Sequence, residues 1–238
     1  FDIDGIDAAH KTIILSGLAY GKMPNLEDLS IQGIREISLN DIKYCNDLGY
    51  KIKLLGNSLI SKDLNGKEEL FCSVKPWLIA KNFGLSNVSG VINAVQIESS
   101  LAGSVMITGA GAGGEPTASA VLADIVDIAN GTKLFSFGRN SYDIKVNFKT
   151  TPYIEKYKFY LRLNVVDKSG ILADLTSIFK DYNISIESVI QKSNQEDKTA
   201  ELVIITHKAN NSVLEDALTS IIKLDGVITK PVCISIYS

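Results

Sequence analysis

From position 158 onward the apolar residues fall in a pattern that leaves few folds open. Phe159, Leu161, Leu163 and Val165 occupy every second position, the period of a strand with one buried face. Ile171, Leu175, Ile178 and Phe179 then form a helical stripe. Residues 184–191 and 200–206 read as two further strands separated by the polar stretch 192–198. Residues 214–222 read as a helix, and 227–236 as a closing strand after the Asp225-Gly226 turn. The order is βαββαβ, the split βαβ arrangement. Many activities use it, so topology alone selects none of them.

The preceding 150 residues predict an α+β layout around a mixed, mostly antiparallel sheet. Ala9, Ile13, Leu15 and Ala19 argue for a helix over 6–20 that Gly21 ends, with Asp2, Asp4 and Asp7 at its dipole-positive end. A short helix is expected over 41–48, capped by Asn40 and stopped by Gly49. Strands follow at 50–60 and 68–74 around an Asn65-Gly66 turn. Pro76 is expected to open a brief helical piece before strands at 90–98 and 104–108 and a helix over 115–130. Between 131 and 157 periodicity is lost, with Gly131, Gly138, Asn140, Thr150, Thr151 and Pro152 as punctuation. This places a linker at 151–157 between a first domain, 1–150, and a second, 158–238.

Composition narrows the function. A chain of 238 residues with 24 Lys+Arg against 27 Asp+Glu carries a net charge of −3, which gives no phosphate-tracking surface for nucleic acid. The uncharged stretches 82–97 and 99–114 are shorter than a bilayer span and broken by Gly and Ser, so no membrane helix is expected. Cys45, Cys72 and Cys233 are too few and scattered for a disulfide framework, and a reducing, cytoplasmic compartment is expected. His10 and His207 lack further ligands at metal spacing, so no metal site is expected. The chain begins at Phe1, without Met or a signal-peptide pattern, and reads as the remainder of a longer one.

Asp7 and Lys11 stand one helical turn apart and share a face. A surface ion pair explains that spacing. A second explanation is chemical: the pair sits among Ile6, Ala8, Ala9, Ile13 and Ile14, and a helix apolar nearly all round is expected to be buried, where such a pair must be matched or used. The block Asp2-x-x-Gly5-x-Asp7-Ala8-Ala9-His10-Lys11 resembles the signature of homoserine dehydrogenases. It is followed in order by Gln32-Gly33-Ile34, by the run from Leu48-Gly49-Tyr50 through Leu55, by Asn93-Ala94-Val95, and by Gly109-x-Gly111-Ala112-Gly113-Gly114-x-Pro116-Thr117. The resemblance covers about 1 to 150. It implies NAD(P)H-dependent interconversion of L-aspartate 4-semialdehyde and L-homoserine in threonine, methionine and isoleucine biosynthesis. Lys11 would donate the proton to the carbonyl oxygen, Asp7 would help bind the amino acid, and Asp2 would lie near its amino group. The resemblance also implies an amino-terminal nucleotide domain, a further Lys and a Glu with no counterpart in this chain, which alone should be inactive.

Gly109, Gly111 and Gly114 satisfy G-x-G-x-x-G, but no second strand ending in an acidic residue follows as a dinucleotide fold requires. Tight packing of a turn accounts for the glycines equally well. The resemblance implies a third reading, in which 109–131 return towards the nucleotide domain and Gly109, Gly111, Gly113 and Thr117 approach the NADP or NAD without being its main cradle. Lys53 reads as a strand residue that faces either a subunit partner or the active site.

In the second domain Ser169 reads as an N-cap and Gly170 as a tight entry to the helix. Residues Asp167 through Leu172, with Asn183-Ile184-Ser185-Ile186, also resemble an ACT domain, the amino-acid sensor appended to many biosynthetic enzymes. That implies a ferredoxin-like fold, a dimer or tetramer, and an effector held near Asp167, Ser169, Gly170, Ile171, Leu172, Asn183 and Ile184, with threonine the leading candidate. Two other readings stay open: a stand-alone ACT-type amino-acid-binding regulator without catalysis, and a structural dimer module that binds nothing.

Overall fold

The longest uninterrupted pairing among the described residues joins two 13-residue strands. In a computed structural model that describes residues 1–132, 135–152, 155–194 and 196–237, β3 (Tyr50–Lys62) and β4 (Glu68–Ala80) form one hairpin from Tyr50↔Ala80 to Lys62↔Glu68. Asp63 builds its turn, accepting through Oδ1 from the amides of Asn65 and Lys67. Gly66 supplies the left-handed conformation at φ 78°. Pro76 does not open a helix; it lies inside β4 opposite Leu54. On the other edge β4 meets its neighbours at Ser73–Val74 and again from Trp77, so Pro76 falls in the gap between two ladders, where a missing N–H costs least.

Ahead of the hairpin come α1 (Ile6–Tyr20), β1 (Lys22–Met23), β2 (Ser30–Ile31) and α2 (Leu39–Asp47). Gly21 ends α1 at φ 66°, as the sequence predicts. The cap of α2 is Ser38 rather than Asn40: Ser38 and Asp41 form a reciprocal capping box, which satisfies two amides where Asn40 would satisfy one. After the hairpin follow β5 (Ile92–Ser99), β6 (Gly103–Ala110), α3 (Gly114–Ala129) and β7 (Lys145–Val146), which pairs with β1. The C-terminal unit contains β8 (Lys156–Val166), α4 (Ile171–Asp181), β9 (Ile186–Asn194), β10 (Thr199–Thr206), β11 (Ala209–Asn210), α5 (Asn211–Ile221) and β12 (Val232–Tyr237). Positions 133, 134, 153 and 154, in the segment read as aperiodic, and 195, in the polar stretch, lie outside the described residues. The closing strand is shorter than expected, and Val227 makes only an isolated bridge to Val165.

The fold is α+β with a mostly antiparallel sheet and a βαββαβ unit at its end. The two halves share one sheet. Its path runs β2-β4-β12-β8-β10-β9, with β3 also on β4 and β11 on β8. The crossing is made by β12, parallel to β4 through Ser235↔Trp77 and antiparallel to β8 through Ile234↔Tyr160. Alternate residues of β8 face opposite sides. Phe159, Leu161, Leu163 and Val165 pack under α4 and α5 with Leu175, Phe179 and Leu214. Tyr160 on the other side packs with Tyr44 and Cys45 of α2 and with Leu78, Val203 and Ile234. Further along that side Ala9 of α1 meets Leu70, Cys72 and Val74.

Candidate active site and regulatory loop

The start of α1 is set by close backbone packing. Gly5 occupies the N-cap at φ 80°, its amide bonded to the Asp2 carbonyl, while the Ile34 amide donates to the Ile3 carbonyl. Gly33 permits that contact, since a Cβ there would stand 2.3 Å from the Ile3 oxygen and 2.8 Å from the Asp4 Cα. Both neighbours are backbone and neither can swing away. Gly33→Ala is therefore expected to displace the Asp2–Asp4 turn and to cost about 1–3 kcal/mol, read as a lower urea midpoint; an unchanged midpoint would contradict this packing.

Asp7 and Lys11 are brought together, Nζ to Oδ2 at 2.7 Å. The expectation that α1 is buried is corrected. The Lys11 and Asp7 side chains are 51% and 46% exposed, and the residues of α1 that are buried are the small ones, Ala9, Thr12, Ser16 and Gly17. The cause is the approach of α1 to β3, where a Cβ on Gly56 would meet Thr12 Oγ1 at 1.8 Å. Small residues face the sheet, and Ile14 and Leu18 are left on the outer face. Asp2 is exposed, and its carboxylate has no partner among the described residues. Asp4 is taken by Arg35 in a bidentate pair at 2.5 and 2.9 Å, and that guanidinium holds the Asp4 carboxyl below its ordinary value. Arg35 escaped the sequence reading because nothing local links it to Asp4.

The glycine loop joins β6 to α3. The Gly111 amide donates to the Val91 carbonyl at 2.7 Å, and a Cβ on Gly111 would run into Asn93. Gly113 caps α3 at φ 129°, and Thr117 Oγ1 donates to the Gly113 carbonyl at 2.7 Å. Steric need thus accounts for Gly111 and Gly113. Gly109 and Gly114 have open space where a Cβ would stand, so the backbone is approachable there. No residue of α3 is buried among the described residues, although Val121, Leu122, Ile125, Val126 and Ile128 are large and apolar. Lys53 is tied to a loop: its ammonium donates to the Val88 carbonyl, and burial followed by the charge of Lys51 pushes its pKa down.

In the C-terminal unit Ser169 is not the cap of α4. Gly170 takes that position at φ 96°, and no side chain caps the helix. Ile171 and Ile184 are core residues, whereas Asp167, Ser169, Leu172 and Asn183 are exposed, Asn183 with φ 55°. The loop is braced by Lys168–Asp225 at 2.7 Å and by the Asp167 amide on the Lys198 carbonyl. His10 lies 6.4 Å from the Phe1 ring, and His207 Nδ1 lies 3.8 Å from Glu187. Burial pushes the Cys45 and Cys233 thiols up to about 12 and raises that of Cys72, which leaves all three poor nucleophiles.

The polar seam between α2 and the C-terminal sheet was missed in reading the sequence. Asp41, fully buried, accepts from Arg162 Nε at 2.6 Å and Nη2 at 3.0 Å and from the Tyr160 hydroxyl at 2.9 Å. Glu201 beside it accepts from Tyr44 OH at 2.9 Å and from Asn40 Nδ2 at 3.1 and 3.2 Å. The available signals were the Ser38-x-x-Asp41 capping spacing and Arg162 within the otherwise apolar run 159–163 of β8.

Comparison with known proteins bears on both halves. The profile of the homoserine dehydrogenase family matches residues 1–126, and that of the ACT domain matches 159–226. A homoserine dehydrogenase of Neisseria gonorrhoeae is 38% identical over 238 residues, covering 98% of this chain and 53% of that protein. One from Helicobacter pylori is 38% identical over 231 residues, covering 97% of this chain and 53% of that protein. The crystal structure of a homoserine dehydrogenase from Thiobacillus denitrificans superposes with a TM-score of 0.84 at 33% identity, covering all of this chain and 54% of that one. The chain spans about half the length of the curated relatives it matches. With the family profile matched over residues 1–126 and the fold matched along the whole chain, the chain belongs to the homoserine dehydrogenase family and carries an ACT domain.

Proposed function

We propose that the whole protein interconverts L-aspartate 4-semialdehyde and L-homoserine, with this chain supplying the substrate and dimerisation half and an amino-acid-sensing ACT domain. The observation that carries the proposal is the Asp7–Lys11 pair, 2.7 Å apart on the open side of a helix that lies within the family match. Hydride addition to an aldehyde builds negative charge on oxygen, and an ammonium placed there both stabilises the charge and delivers the proton. Lys11 takes that role. Asp7 orients Lys11 and, with Asp2, attracts the substrate ammonium.

When bound, a nicotinamide dinucleotide, NADP or NAD, supplies the hydride. The glycine loop fits an edge contact with it: its backbone is open at Gly109, and the first amides of α3 carry no side-chain cap. It does not fit a full cradle, since the Thr117 hydroxyl donates to Gly113 and, among the described residues, no second parallel strand ending in an acidic residue follows α3. Segment 109–131 turns towards the nucleotide domain, and the apolar surface of α3 is the surface that this domain covers. In the C-terminal unit, Asp167, Ser169, Gly170, Ile171, Leu172, Asn183 and Ile184 frame an effector loop, its buried members acting through backbone groups, with a second copy completing it and threonine the leading ligand. The protein works as a dimer or tetramer in the cytoplasm; among the described residues no helix is long and apolar enough to cross a membrane. The test is an assay of the whole protein for NAD(P)H oxidation dependent on aspartate 4-semialdehyde. Absence of that activity in folded protein with measurable dinucleotide binding would overturn the proposal.

A further inference from the structure

The seam between α2 and the C-terminal sheet holds more than a structural contact. A cavity of about 590 Å³ opens there, lined by Lys43 and Tyr44 of α2, Asn164 of β8, Lys192 of β9, and Thr199 and Glu201 of β10. It therefore touches both halves of the chain. Its charges are of both signs and are not spent on one another. Lys43 has no ion-pair partner among the described residues. Lys192 lies over the Tyr44 ring, 4.5 Å from its centroid, with no carboxylate partner among the described residues.

Glu201 is the opposite case. Its side chain is 25% exposed, and the hydrogen bonds from Tyr44 and Asn40, with Arg162 Nη1 at 3.7 Å, fix its carboxylate at the cavity wall. Those donors leave lone pairs of Glu201 open to the cavity. Two cations without carboxylate partners among the described residues beside one held anion form a dipolar site, and the small molecule with the matching charges is a zwitterion.

We propose that this cavity binds a free L-α-amino acid, its carboxylate on Lys43 and Lys192 and its ammonium on Glu201. This rests on the reading of the C-terminal unit as an amino-acid sensor and locates a site within a single chain, apart from the 167–172 loop. The ligand bridges α2 and the regulatory sheet. It also lies beside Tyr44, the neighbour in α2 of the Asp41 that grips Arg162, so occupancy tightens the joint between the two halves. Differential contact of this kind is what couples an effector to a distant reaction.

The test is calorimetric titration of the whole protein with L-threonine, L-isoleucine, L-methionine and L-lysine. Wild type is compared with the Lys43→Met/Lys192→Met double variant and with Asp167→Asn. Both lysines are exposed, so the double variant is expected to keep an unfolding midpoint close to that of wild type. It is expected to bind at least one of these amino acids about tenfold or more weaker than wild type, while Asp167→Asn retains that component. Wild-type affinity and stoichiometry in the double variant, or loss of all binding on Asp167→Asn alone, would overturn the cavity site and leave the sensor reading standing. No binding of any of the four to wild type would overturn both.

Discussion

Replacing Lys11 by alanine in the whole protein is expected to lower turnover by about 10²–10⁴-fold and to leave dinucleotide binding close to wild type. The size follows from the role. A positioned acid that meets the forming alkoxide is lost, and water must replace it. Folding does not account for such a loss, because the Lys11 side chain is half exposed and its pairing with Asp7 is of the i,i+4 type. Exposed pairs of that kind contribute roughly 0.2–0.5 kcal/mol. Lys11→Arg keeps the charge but gives up the transferable proton, so it is expected to rescue little of the rate. The measurement is steady-state kcat beside a separate titration of the dinucleotide. Near-normal kcat in Lys11→Ala would remove Lys11 from the chemistry.

Arg162→Met is expected to destabilise the fold by about 3–5 kcal/mol, because it leaves Asp41 charged and fully buried without its cation. Asp41→Asn is expected to act in the same direction, since it leaves Arg162, whose side chain is 9% exposed, with Glu201 at the longer distance of 3.7 Å as its counter-charge. The double variant Asp41→Asn/Arg162→Met is expected to recover much of the loss, since no buried charge is then unpaired. The pH dependence carries the same signature. Burial works against ionisation of Asp41, but the hydrogen bonds from Arg162, Ser38 and Tyr160 outweigh it and hold the carboxyl below its ordinary 3.8. A depressed folded-state pKa contributes stability that is fully present above the unfolded value and is lost as pH falls through the folded one. The wild-type urea midpoint is therefore expected to drop on acidification below about pH 4, and the part of this drop that comes from Asp41 is expected to shrink or reverse in Arg162→Met, where protonation relieves an unpaired buried carboxylate. Burial and the nearby Asp41 push the Tyr160 hydroxyl far above its ordinary range, so it remains a donor throughout. Equal midpoints for wild type and Arg162→Met at neutral pH would show that the pair does not hold the seam.

Local signals carried most of the element order. The helix 6–20 was legible because Gly21 is the residue that a left-handed C-cap requires, and the terminal βαββαβ because each element buries one face at its own period. What failed was nonlocal. Pro76 reads as a helix start until its two neighbours in the sheet are known. The burial of α1 was overestimated because composition does not show that Thr12 rides on Gly56 and turns the larger side chains outward. The shared sheet rests on Ser235↔Trp77, a pairing across most of the chain that leaves no trace in periodicity. In the candidate site the pairing of Asp7 with Lys11 was legible from its i,i+4 spacing, and their assigned roles came from the resemblance of the surrounding block. Arg35, Asp41, Arg162 and Glu201 were not legible, because their partners come from distant elements.

The most direct test is turnover by the whole protein beside turnover by residues 1–238 alone, with aspartate 4-semialdehyde and NADPH or NADH. The expected result is robust, semialdehyde-dependent oxidation of the reduced dinucleotide by the whole protein and none above background by the chain alone, to which the proposal gives the proton donor but only the edge of the dinucleotide site. Robust turnover by residues 1–238 alone would contradict this division of the site, and no turnover by the folded whole protein would contradict the assigned reaction.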